Sequence, residues 1–293
     1  MAEGRIIKAL SGFYYVSGPE GTVQCKGRGV FRNRKIKPLV GDQVVYKADN
    51  DKEGTVTEVK KRKNELIRPP IANVDQALLV FSAVEPAFSP LLLDRFLVHV
   101  EESDIDPLIV VTKEDLASEE VMKEVARYKA IYQKLGYPFY VVSNMSNKGL
   151  EEAALHFKDR ITVIAGQSGV GKSSFLNALV PELNLETGAI STHLGRGKHT
   201  TRHVELISLY EGLVADTPGF SSLDFQEMDE SELSLYFPEM RERLPDCKFR
   251  GCTHRKEPGC AVKEALEQGE ISESRYNHYL QFYQELSEQQ RRY

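Results

Sequence analysis

Residues 166–173 read Gly166-Gln167-Ser168-Gly169-Val170-Gly171-Lys172-Ser173 and fill the pattern G-x-x-x-x-G-K-S. The three glycines let a backbone wrap around a phosphate with its N–H groups pointing inward. The Lys172 ammonium can reach the outer phosphates of a nucleoside triphosphate, and the Ser173 hydroxyl can bind Mg²⁺. Further along stands Asp216-Thr217-Pro218-Gly219. After a phosphate loop, an Asp in this place anchors the Mg²⁺ shell and a Gly amide meets the γ-phosphate. The chemistry these residues support is phosphoanhydride binding and hydrolysis.

Thr112-Lys113-Glu114-Asp115 has the character of a guanine-reading motif, with Thr112 where Asn is usual. Asp115 can accept two hydrogen bonds, from guanine N1–H and the 2-amino group. Adenine has no such donor pair, so the carboxylate would separate the two purines. The Lys113 stem can cover the base face, and Ser143-Asn144 stands where a loop would back the base. All of this precedes the phosphate loop, whereas in an ordinary GTPase it follows. Gly195-Arg196-Gly197-Lys198-His199-Thr200-Thr201-Arg202 lies between the loop and Asp216, the expected place of a first switch. One of its threonines, Thr201 by preference, should join Mg²⁺ when the γ-phosphate is present. Phe220 follows Gly219 where many GTPases carry a water-orienting Gln. A phenyl ring cannot orient water by hydrogen bonding, which leaves His199 as the candidate. The competing role for His199 is a loop histidine facing RNA or solvent.

Cys247, Cys252, His254 and Cys260 supply three thiolates and one imidazole within fourteen residues. Four such ligands fill a tetrahedral Zn²⁺ shell, so the site should be structural and closed. Lys248, Arg250, Arg255 and Lys256 surround it. Cys25 stands alone in a strand-like run and reads as a small buried hydrophobe.

These residues need elements to position them. Residues 76–81, 108–111, 139–142 and 161–165 are compact apolar runs suited to parallel strands buried on both faces, with 203–209 and 213–215 completing the set. Between them, residues 91–102, 119–135, 149–157 and 173–179 have helical spacing. The alternation predicts a parallel α/β sheet over 69–222. Residues 1–68 hold about five short strands at 6–10, 13–16, 22–25, 43–46 and 55–59, separated by turn residues, which predicts a small all-β, OB-like barrel. Arg68-Pro69-Pro70 marks the boundary and would stiffen a linker. Residues 223–293 read as mostly helical and zinc-binding. There Tyr276, Tyr279, Leu280 and Tyr283 fall on one helix face that should pack on the protein.

A chain of 293 residues with 41% hydrophobic and 28% charged residues is of globular composition. The start holds no apolar run suited to a signal peptide and no stretch suits a membrane span, so a cytoplasmic protein without membrane association is expected. The net charge is −5. Residues 1–70 nevertheless carry fifteen Lys or Arg against eight Asp or Glu, a net +7 that leaves −12 for the rest. A basic barrel on an acidic chain suggests a polyanionic partner. Arg28, Arg32, Arg34, Lys35 and Lys37 gather around Phe31, so cations would neutralise phosphates while Phe31 either stacks on a base or fills the barrel core. Two alternatives compete with a GTPase. A P-loop ATPase leaves Asp115 unexplained, and a nucleotide-regulated RNA-binding module with little catalysis would use the barrel and the zinc alone.

The order of parts (base motif, backing loop, phosphate loop, switch, D-x-x-G) resembles that of the circularly permuted GTPases of the RsgA type, and the resemblance covers nearly the whole chain. It implies an OB-fold barrel, a permuted GTPase domain whose nucleotide loop extends through Ser174, and a C-terminal zinc module. It also implies GTP hydrolysis in maturation of the small ribosomal subunit, with rRNA, GTP and GDP as ligands, stimulation by that subunit, and a catalytic role for His199 beside Lys172. No dimerisation signature is visible, and a monomer is expected. The permuted exit falls just after Phe220, so γ-phosphate contacts at Gly219 would pull directly on the zinc module.

Overall fold

The computed structural model describes residues 1–27, 31, 36–50, 52–67, 69–181, 204–216, 225 and 228–290. The first five strands are β1 (Ala2–Leu10), β2 (Phe13–Gly18), β3 (Gly21–Gly27), β4 (Gln43–Ala48) and β5 (Glu53–Val59). They close into a barrel in the order β1-β2-β3-β5-β4, antiparallel except for the β3–β5 pair. Alternation sets the inside: Ile6, Val16, Val23, Cys25, Val44, Tyr46 and Val56 are all buried. Ser11 and Gly12, both at positive φ, make the two-residue turn that matches the twist of β1 and β2. Burial pushes the Cys25 thiol up to about 11, in keeping with an inert core residue. Phe31 is only 6% exposed and belongs to the barrel core. Its ring is committed to packing, which removes it as a stacking platform for a base. Arg28, Arg32, Arg34 and Lys35 lie outside the described residues.

The proline boundary is a packed junction and not a bare linker. β6 (Glu65–Leu66) and β7 (Ile71–Ala72) pair antiparallel around it, and Val40 bridges Ile71. A fixed proline φ suits a turn as well as a spacer, so the sequence alone did not separate the two. Arg62 locks the junction to the barrel, donating from Nε and Nη2 to fully buried Asp42 at 2.7 and 2.8 Å.

The central sheet has six strands in the order β10-β9-β8-β11-β13-β12. These are β8 (Gln76–Ser82), β9 (Asp106–Thr112), β10 (Phe139–Val141), β11 (Ile161–Ala165), β12 (Leu206–Leu209) and β13 (Gly212–Asp216). Every residue of β8 and β11 is buried, as central strands covered on both faces require. The helices are α1 (Pro90–Glu102), α2 (Glu119–Lys134), α3 (Leu150–Ala154) and α4 (Lys172–Leu179). The expected all-parallel sheet needs one correction: β12 runs antiparallel to β13. Only Tyr210 and Glu211 join them, both at positive φ. A parallel return needs a crossover of a dozen or more residues, whereas two residues at positive φ make a hairpin.

The C-terminal part contains α5 (Pro238–Arg241), α6 (Ala261–Glu267) and α7 (Glu273–Gln290). The predicted aromatic face of α7 is buried at Tyr276, Tyr279 and Tyr283, with Leu280 partly buried beside it. The core of this module takes in Val98 of α1, so it packs directly on the nucleotide-binding domain. Among the described residues, no helix is long and apolar enough to cross a membrane.

Candidate functional site

In parallel α/β sheets, ligands bind beyond the carboxyl ends of the strands. Those of the predicted nucleotide residues that are described gather there, at the ends of β9, β10, β11 and β13. β11 feeds the phosphate loop, and α4 leaves it with its amino end turned to the loop, where helix dipole and free amides favour an anion. Gly166 has φ +146° and lies so close to β8 that a Cβ would stand 2.1 Å from the Val80 carbonyl oxygen. Gly169 and Gly171 also have positive φ. Lys172 Nζ donates to the carbonyls of Gly166 and Gln167 at 2.9 and 2.7 Å, so the ammonium lies over the loop it would serve. Ser173 is buried in the first turn of α4, and Ser174 is half-buried beside it. Phe175, Leu176 and Leu179 anchor the helix in the core.

The base-side residues are tied to this loop. Thr112 is fully buried, with its hydroxyl 2.5 Å from the Val170 carbonyl and 3.1 Å from that of Phe81. A hydroxyl has one proton to donate. Thr112 therefore serves as a strut between β9 and the phosphate loop, and its side chain faces protein. Lys113, in left-handed conformation at φ 60°, donates from Nζ to Gly169 O at 2.8 Å and Glu85 O at 2.6 Å. Its stem thus spans the gap between base motif and loop. Asp115 is exposed, and its Oδ1 accepts a 2.7 Å bond from the Ser143 hydroxyl. The same hydroxyl accepts from the Met145 and Ser146 amides, so the loop after β10 folds around Ser143 and holds the carboxylate. Asn144 stands beside Gly171 at the seam between the two halves.

β13 ends at Asp216, which is level with Ile164 on the strand that enters the phosphate loop. His199, Thr201 and Gly219 lie outside the described residues, as do the rest of 195–202 and Phe220. The segments that flank them are held. Glu205 bridges to Lys8 of β1 in the barrel through the backbone and through a 2.7 Å ion pair. Phe225 stacks on His99 of α1, with centroids 5.0 Å apart, and lies under the Arg95 guanidinium.

The second site is the cluster of Cys247, Cys252, His254 and Cys260, whose ligand atoms all lie within 4.8 Å of one another. His254 Nδ1 faces the sulfurs, 3.3 Å from Cys260 Sγ and 3.7 Å from Cys247 Sγ. Zinc bonds of about 2.0–2.3 Å would set ligand atoms roughly 3.3–3.8 Å apart in a tetrahedron, so the residues fit such an ion. Burial pushes the Cys252 thiol up to about 12, raises Cys260 and lowers His254. Without an ion, Cys252 and Cys260 would stay protonated; a divalent cation is what would make thiolates of them. Around the cluster, Tyr276 and Tyr279 of α7 donate to the carbonyls of His254 and Thr253 at 2.6 and 2.8 Å. The Glu257 carboxylate accepts from the Thr253 hydroxyl and from the amides of Thr253, Arg255 and Lys256. Desolvation pushes Glu257 up, but these bonds outweigh it and bring it down to about 2.

Sequence reading missed the group that joins the two sites. Arg275 of α7 is 2% exposed. It donates to Glu239 Oε1 and Oε2 at 2.5 and 3.0 Å and to Asp94 of α1. Asp94, fully buried, also accepts from Tyr132 of α2 at 2.8 Å and meets His278 Nδ1 at 2.5 Å. Burial alone would lower the guanidinium pKa; Asp94 and Glu239 outweigh it and hold the charge in place. The signal in the sequence was slight: one Asp in the otherwise apolar face of α1.

Comparison with known proteins adds to this geometry. The model of the RsgA N-terminal domain matches residues 3–56, and that of the RsgA GTPase matches residues 59–226. A protein of Halalkalibacterium halodurans named small ribosomal subunit biogenesis GTPase RsgA is 63% identical over 292 residues, covering 100% of this chain and 99% of that one. One of the same name from Bacillus subtilis is 58% identical over 298 residues, covering 100% of each. The crystal structure of YloQ, described as a circularly permuted GTPase, superposes with a TM-score of 0.86 at 53% identity, covering 98% of this chain and 96% of that chain. That of YjeQ from Thermotoga maritima does so with 0.87 at 38% identity, covering 97% and 98%. Matched along its barrel, its permuted nucleotide domain and its Cys/His module alike, this chain belongs to the RsgA family of circularly permuted GTPases.

Proposed function

We propose that this GTPase is a maturation factor of the small ribosomal subunit. In its GTP form it binds the immature particle through its basic barrel and its Cys/His module, and hydrolysis lowers its affinity and releases it. The observation that carries the reading is identity of 63% across essentially the full length of a relative named for small-subunit biogenesis. The division is taken as 1–68 for the RNA-binding barrel, 69–222 for the GTPase domain and 223–293 for the zinc module. In this reading Asp115 grips the guanine edge, with Ser143 positioning it, and the amides of 166–173 and Lys172 neutralise the phosphates. Ser173, Thr201 and Asp216 would hold Mg²⁺, which supplies charge compensation on the β- and γ-oxygens when bound. Cys247, Cys252, His254 and Cys260 would hold one structural zinc. His199 positions the attacking water. The protein works as a cytoplasmic monomer, and free turnover is slow because Phe220 stands where a switch Gln would complete the site.

The test is the GTPase rate with and without purified small subunits, run in parallel on His199→Ala. Subunits should accelerate the wild type. The variant should lose ~100-fold or more of the stimulated rate while still binding nucleotide, as removal of a water-positioning group does. Unaltered stimulated turnover in the variant takes His199 out of the role, and absence of any stimulation removes the small subunit as the partner.

A further inference from the structure

A guanine ring presents two edges to a protein. The N1–H and 2-amino edge asks for acceptors and is met by Asp115. The N7 and O6 edge carries acceptors and asks for donors. An Asn at position 112 would bring an amide with two N–H groups, enough to brace the phosphate loop and still donate to the base. Thr112 brings one proton, and the strut to the loop carbonyl consumes it. The three protons of the Lys113 ammonium are met by Gly169 O, Glu85 O and, at 3.4 Å, Val84 O. The Ser143 hydroxyl is bonded to Asp115. Of the polar side chains 112, 113, 115, 143 and 144 at the ends of β9 and β10, this leaves Asn144. Its Oδ1 is buried and has no hydrogen-bond partner. Its Nδ2 lies 3.8 Å from where a Cβ on Gly171 would stand, and the Thr112 hydroxyl lies 3.3 Å from the same point. The amide and the Thr112 hydroxyl therefore both face the last glycine of the phosphate loop. Asn144 is half-buried, and an orphaned amide oxygen marks a side chain that the protein itself does not hold; the amide can be turned so that its N–H group faces a ligand.

We propose that Asn144 supplies the donor that position 112 has lost, its amide N–H bonding guanine N7, so that the base-reading amide has moved from the end of β9 to the end of β10. Passing round the purine from the Asp115 edge by way of O6, N7 is the last acceptor before the glycosidic nitrogen, and an amide beside Gly171 would lie on that phosphate side. Asn144 is then a determinant of affinity for the imidazole edge. Asp115 keeps the choice between guanine and adenine, because an amide also pairs with adenine N7 and N6. The proposal rests on the guanine-nucleotide reading of this site.

The probe is 7-deaza-GDP, in which a C–H replaces N7 and the N1, 2-amino and O6 groups stay. Calorimetry on the full chain should show GDP binding about tenfold tighter than 7-deaza-GDP, the loss expected for one hydrogen bond in a sheltered site. Asn144→Ala should weaken GDP by a similar factor, leave 7-deaza-GDP unchanged and so abolish the difference. Asn144→Asp, of nearly the same shape but without a donor, should do the same. Thr112→Asn in the Asn144→Ala background should restore part of the preference. An unchanged melting temperature shows that the variants fold. A wild type indifferent to the N7 deletion, or an Asn144→Ala protein that still distinguishes the two ligands, overturns the assignment. Failure of the wild type to bind GDP at all would instead sink the guanine reading beneath it.

Discussion

At the Cys/His centre four ligand atoms already stand within 4.8 Å of one another, beneath carbonyls and amides tied down by Tyr276, Tyr279 and Glu257. At the nucleotide loop, Gln167, Ser168 and Gly169 are exposed. A closed shell around a structural ion stabilises by being complete. A site that turns over must admit and release its ligand, so its groups are positioned from behind, as Thr112 and Ser143 position the loop and Asp115. The two regions differ in what holds them, and this can be measured.

Removing the zinc proposed for the Cys/His cluster should have the largest effect. Structural zinc contributes on the order of 10–16 kcal/mol of apparent binding energy in small modules at neutral pH. Chelation, or Cys252→Ser, is expected to unfold the Cys/His segment and expose its tyrosines, while GDP still binds at the phosphate loop. Metal analysis, tyrosine near-ultraviolet dichroism and GDP calorimetry together read this. A module that keeps its dichroism without metal would show that the core around Phe237 and Phe282 suffices, and the contrast between the two sites would weaken.

Arg275 comes next, because it joins the two regions. Arg275→Met leaves Asp94 and Glu239 buried and without their cation, a loss of about 3–5 kcal/mol. Denaturant unfolding of the whole chain should record it, with little sensitivity to salt because the group is 2% exposed. Replacing Asp94 and Glu239 by Leu as well should recover part of the loss, since a buried ion pair exchanged for apolar residues is often neutral or better, less the cost of leaving Tyr132 and His278 without Asp94. A single variant as stable as the wild type would mean that the charges do not hold the Cys/His module on α1.

Much of this was legible in the sequence, because strand alternation, glycine placement and ligand spacing are local signals. The five barrel strands, the helix after the phosphate loop and the tyrosine face of α7 all follow from spacing. What escaped depends on partners far along the chain. Arg275 reads as one more charge on a polar helix until Asp94, 181 positions away, is packed against it. Phe31 among its basic neighbours reads equally as base platform or core, and only barrel closure decides. Thr112 looked like a weakened base contact. Its role as a strut appears only when Val170, 58 positions on, is brought to its hydroxyl. The antiparallel β12 was legible in the two-residue link before Gly212, but the α/β alternation outweighed it.

The smallest effect is expected where the barrel meets the nucleotide domain. Lys8 and Glu205 are 32% and 33% exposed, and their ion pair measures 2.7 Å. Exposed pairs contribute about 0.2–1 kcal/mol, screened by salt over a Debye length of about 10 Å at 0.1 M. A double-mutant cycle with Lys8→Gln and Glu205→Gln should give a coupling within that range, fading toward zero at about 1 M salt. The backbone bridge between the same residues is untouched by either change, so the cycle isolates the side chains. A coupling above about 2 kcal/mol, insensitive to salt, would make this junction as firm as the one around Arg275. The contrast between a firm Cys/His end and a weakly paired barrel junction would then fail.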